Sequence, residues 1–137
     1  MAIIGGAGNP VGGSFTGPAE ALEIVGNHAY AYSGVINNVG GGSATSTMLS
    51  FTTGNYYYQG ILNIIDDNIT GSVTMFIDIT FNGVSVYKGA WDNSPDMAST
   101  SPLVTLIIPS YTEVVVKWGC SNDRNGSIAM TGKIYRD

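Results

Sequence analysis

Asn82-Gly83 stands between two runs of alternating apolar residues. A two-residue Asn-Gly loop suits a type I′ turn, because both central residues take positive φ. Ahead of it, Val73, Met75, Ile77, Ile79 and Phe81 fall on one face of a strand, with Thr74, Asp78 and Thr80 on the other. That period of two is the mark of a half-buried strand. A tight hairpin here predicts Phe81 opposite Val84 and Ile79 opposite Val86, so that the apolar stripe crosses the turn in register.

The same reading extends along the chain and yields eight strands, at 28–37, 45–53, 55–66, 72–82, 84–91, 102–109, 112–120 and 127–136. Val114, Val116, Trp118 and Cys120 alternate with Glu113, Lys117 and Gly119; Ile128, Met130 and Ile134 oppose Thr131 and Lys133. Leu103–Ile108 is apolar on both faces, which predicts burial in the middle of a sandwich. Trp91–Ser101, with Pro95, reads as a loop, and Asn122–Gly126 as a turn. Eight short strands predict an all-β, antiparallel two-sheet sandwich of jelly-roll topology, with an immunoglobulin-like arrangement as the rival. Residues 27–137 form this domain, and residues 1–26 a glycine-rich N-terminal arm. Within the arm, Pro18–Gly26 suits either two helical turns or an extended segment.

Composition narrows the chemistry. Only 11% of the 137 residues are charged, and the net charge is -5. Lys88, Lys117, Arg124, Lys133 and Arg136 are scattered among an acidic majority, which argues against nucleic-acid binding. A single cysteine cannot bridge internally, and a single histidine cannot supply a two-histidine metal site. The first residues carry no basic run, and the apolar stretches are far shorter than the roughly 20 residues of a spanning helix. A cytosol-made chain with no membrane segment is therefore expected. Asn68-Ile69-Thr70 and Asn125-Gly126-Ser127 are read as chance sequons.

Few groups are placed for catalysis. His28 opens a strand with no Gly-x-Ser-x-Gly elbow in the chain, and reads as a strand-end side chain. Cys120 shares the apolar face of its strand and reads as a core thiol. Asp66 and Asp67, and Asp92 and Asp96, occupy turn-like segments; they are the only candidates for calcium, and neither set follows the EF-hand spacing. No cofactor, small-molecule substrate or catalytic residue is expected. Tyr56-Tyr57-Tyr58 and Trp91 carry rings suited to sugars, to protein interfaces or to the core. Tyr57 and Trp91 are the interface candidates in the domain, and Ile3, Ile4, Val11 and Phe15 those in the arm, where a neighbouring chain would hold a strip that otherwise frays.

Four stretches carry a resemblance: Asn27–Gly34, Asn82-Gly83-Val84, Ile107–Val114 and Met130–Tyr135. Together they resemble the small jelly-roll capsid decoration, or cement, proteins of tailed phages and marine viruses. The resemblance implies a virion protein on the capsid surface, made in the host cytoplasm, that binds and bridges major capsid protein subunits as a homotrimer. The alternative it leaves open is a carbohydrate- or receptor-binding head on a virion spike or tail accessory. A shell protein of a small virus would carry a basic arm for the genome, and this arm has no Lys or Arg.

Overall fold

The computed structural model describes residues 17–38, 45–66, 73–93, 103–121 and 124–136. Among these there are ten strands and no helix: β1 (Glu23–Val25), β2 (His28–Tyr32), β3 (Ile36–Asn38), β4 (Thr45–Thr52), β5 (Tyr57–Asp66), β6 (Val73–Phe81), β7 (Val84–Asn93), β8 (Val104–Ile108), β9 (Glu113–Cys120) and β10 (Arg124–Tyr135). They form two antiparallel sheets. One has the order β1-β2-β10-β5-β8, with β3 also paired to β10; the other has the order β4-β9-β6-β7. Inward residues of both sheets meet in one core around Trp118, Tyr58, Met48, Leu49, Leu62 and Met130. Each such side chain, fully buried, stabilises the fold by about 1.5–3 kcal/mol relative to exposure.

Ten strands replace the expected eight for two local reasons. The segment expected as one strand over 28–37 breaks at Ser33. There the Ser33 N–H donates to the Ile128 carbonyl (2.9 Å), the Ser33 hydroxyl oxygen accepts the Ile128 N–H (2.9 Å), and the Gly34 N–H turns away to the Gly17 carbonyl (2.8 Å). β2 and β3 then lie end to end along β10, which begins at Arg124, inside the expected turn. The second addition is β1. Of the two options for Pro18–Gly26, the extended one holds, because Gly26 at φ 61° closes a two-residue hairpin that pairs Val25 with His28. Ala19 bonds to the edge of β4, and both Ala19 and Leu22 are buried, so residues 17–25, on the arm side of the expected boundary, pack into the sandwich.

The Asn82-Gly83 hairpin forms as expected at its tip: both residues have positive φ, and Phe81 pairs with Val84. Asn82 is held further by β9, accepting the Glu113 N–H at its side-chain oxygen and donating its own N–H to the Glu113 carbonyl, both at 2.8 Å. The expected pairing of Ile79 with Val86 does not form. The register shifts between Ile79 and Thr80, Ile79 faces Tyr87, and Val86 is the extra residue of a β-bulge. Tyr87, Gly89 and Trp91 thereby fall opposite Ile79, Ile77 and Met75, while Val84 and Val86 are exposed. β7 also runs on to Asn93, two residues past the expected strand end at Trp91.

Leu103–Ile108 is corrected more deeply. β8 is a strand, but it forms an edge of its sheet instead of a central position, and Leu103 and Ile107 are 69% and 71% exposed. Its apolar residues on both faces therefore mean one buried side, with Val104 and Ile108, and one side turned outward.

Candidate functional site

The inner face of the larger sheet explains its outer face. β5 and β10 place Gly60 directly opposite Gly132, and Gly132 lies opposite Ala29 of β2. This row of minimal side chains leaves a trough that the Tyr58 ring fills. A Cβ on Gly60 would come 2.8 Å from that ring, and one on Gly132 would run into the Gln59 carbonyl. Tyr58 is fully buried and donates its hydroxyl to the Ala29 carbonyl at 3.0 Å. Burial pushes its phenol well above the ordinary range, and Tyr32 adds to the rise.

With Ala29 and Ala31 turned to the core, the large residues of β2 point outward. The register aligns them: His28 with Lys133 and Gln59, and Tyr30 with Thr131 and Ile61. Thr131 and Ala129 on the central strand are short, whereas the flanking side chains are long. A groove of about 540 Å³ results, walled by Tyr30 and Tyr32 on one side and by Gln59, Ile61 and Tyr135 on the other. Its walls are partly fixed. The Tyr30 and Tyr32 rings lie 4.8 Å apart, and the Tyr135 hydroxyl donates to the Gln59 side-chain oxygen at 3.2 Å. His28, Lys133 and Tyr135 also border a second depression that reaches Arg136, whose guanidinium sits 5.2 Å from the centre of the Tyr56 ring.

Beside the groove the same outer face turns apolar. Ile61 and Ile65 of β5, with Tyr57 and Tyr135, are exposed, and Ile107 of β8 lies opposite Gln59.

The residues singled out from sequence are dispersed. Tyr57 is exposed on β5, paired with Tyr135 at the end of this face. Trp91 belongs to the other sheet, half-buried against the core, so the two rings do not form one platform. Ile3, Ile4, Val11 and Phe15 lie outside the described residues, as do Asp67 and Asp96. Asp66 ends β5 and Asp92 lies in β7, in different sheets. His28 is exposed at the groove, and Cys120 is buried in the core. Among the described residues no three His, Cys, Asp or Glu side chains cluster as a metal site would need. The groove's own residues, Tyr30, Tyr32, Thr131, Lys133 and Tyr135, had one trace in the sequence: the alternation of large and small residues in His28–Tyr32, with the unusual sense that the small ones face inward.

Neither protein-family models nor curated proteins match this chain.

Proposed function

We propose that the chain is a structural virion protein of the capsid-decoration type, a jelly roll that assembles as a homotrimer and bridges major capsid protein subunits. The jelly-roll reading draws on strand order. Setting aside β1 and β3, the remaining eight strands pair first with last, second with seventh, third with sixth and fourth with fifth: β2 with β10, β4 with β9, β5 with β8, β6 with β7. Such nesting is what a long hairpin gives when it rolls up into two sheets. The virion assignment draws on the resemblance of the strand and turn segments.

The observation that carries a contact role is the apolar corner of the larger sheet. Tyr57, Ile61, Ile65, Leu103 and Ile107 are all exposed, on β5 and on or next to β8. On this face they alternate with Gln59, Asn63 and Thr105, a mixture of large apolar and polar side chains suited to a surface where proteins meet. A double variant, Ile61→Lys with Ile107→Lys, alters only exposed positions and leaves the core intact. The wild-type chain is expected to sediment as a trimer and to be present in hundreds of copies per purified particle by quantitative mass spectrometry. The variant is expected to sediment as a folded monomer and to be missing from particles. Identical sedimentation of the two proteins, or a copy number of a few dozen, would refute the proposal.

A further inference from the structure

The groove on β2 and β10 shares Ile61 with the apolar contact face, but its polar and aromatic lining has a chemistry of its own. We propose that it binds a carboxylated sugar, a pyranose unit carrying an acidic group, as found in uronate- or sialate-containing glycans.

Three observations lead there. The first is shape: a groove of about 540 Å³ has Tyr30, Tyr32, Tyr135 and Ile61 in its walls, with the Tyr30 and Tyr32 rings packed on each other at 4.8 Å, and so offers ring and aliphatic surface to a ring-shaped ligand. The second is hydrogen bonding. Gln59, Thr131 and the tyrosine hydroxyls alternate with that apolar surface, as a ligand with hydroxyls around an apolar ring face requires. The third is charge. The protein carries ten acidic residues against five basic ones, yet Lys133 lines the groove, Arg136 adjoins it, and none of the lining residues is acidic. The nearest acid by register, Glu23 opposite Tyr30, is buried and lines neither depression. The comparable depression on the four-stranded sheet lacks this polarity, because Asp78 there lies opposite both Lys88 and Lys117. In the acceptable pose, a sugar ring lies against Tyr30 and its carboxylate reaches Lys133, the His28 row supplying further donors.

The test is amide chemical-shift mapping of the full chain with trigalacturonate and 3′-sialyllactose, each against its neutral methyl ester. Shifts are expected at Tyr30, Gln59, Thr131 and Lys133, with at least one acidic glycan binding roughly tenfold more tightly than its neutral partner, as loss of one charge-assisted hydrogen bond predicts. Lys133→Gln is expected to erase that preference, and Tyr30→Ala to abolish binding while the remaining spectrum keeps its dispersion. Equal affinity for acidic and neutral sugars would overturn the proposal. So would shifts centred on Tyr57 or Trp91, or binding of an acidic peptide at the groove with no response to any of the four saccharides. None of these outcomes bears on trimer formation, so the two proposals fail separately.

Discussion

At the scale of single residues, this protein repeatedly lays an aromatic ring on a glycine. Tyr58 covers Gly60, Tyr87 covers Gly89, and the Trp118 ring lies against Gly126. Each glycine removes the Cβ that would hold the ring off the sheet, and the ring restores the apolar contact that the glycine lacks. At Gly126 the space is closed on two sides: a methyl there would lie 2.7 Å from the Trp118 ring and 2.9 Å from the Ile65 carbonyl oxygen. Gly126→Ala is therefore expected to cost about 1–3 kcal/mol, the range for overpacking a core, and to be visible as a lower urea midpoint with altered Trp fluorescence. These contacts also show where residue-level reading stops. That Tyr56-Tyr57-Tyr58 carry rings suited to a surface or to the core was legible. Which ring turned inward was decided by Gly60 and Gly132, and Gly132 is distant in sequence.

At the scale of strands, existence was legible and position was not. The inward faces of β6, β9 and β10 follow from period-two alternation alone, and the Asn-Gly turn from its two positive φ angles. A bulge leaves no such trace. Val86 looks like a stripe residue until the ladder shows that it has no partner and that Tyr87 takes its place opposite Ile79. The difference is measurable: Val86→Lys is expected to change stability by less than about 0.5 kcal/mol, as at ordinary surface sites, and Tyr87→Lys to cost about 2 kcal/mol in a urea titration. A large loss from Val86→Lys would restore the in-register hairpin. β8 is the same lesson at longer range, since its edge position comes from strand order, which is fixed by pairings across the whole chain. The groove was hidden for that reason too, because its walls come from β2, β5 and β10 and meet only when the register is known.

At the scale of the whole molecule, the two sheets are joined by a core that encloses Tyr58, an ionisable group whose proton is tied to folding. Its phenol is held above the ordinary value of 10.0, chiefly by burial. Below that pH both folded and unfolded chains keep the proton, and the contribution is fully present. Above it the unfolded chain releases the proton while the folded chain retains it, so stability falls as pH rises beyond about 10. Denaturant titrations between neutral pH and pH 11 are expected to show this decline. Tyr58→Phe, less stable at neutral pH because the Ala29 carbonyl loses its donor, is expected to show a shallower one.

The open margin at β8 has a consequence for how the chain behaves in concentrated solution. Among the described residues the sheet ends at β8, paired on one side only, with Ile107 and Leu103 exposed beside it, and such an edge is a template on which another strand can add. Copies in which that margin stays bare are expected to pair through it and aggregate on concentration, and a charge placed there by Ile107→Lys is expected to suppress this.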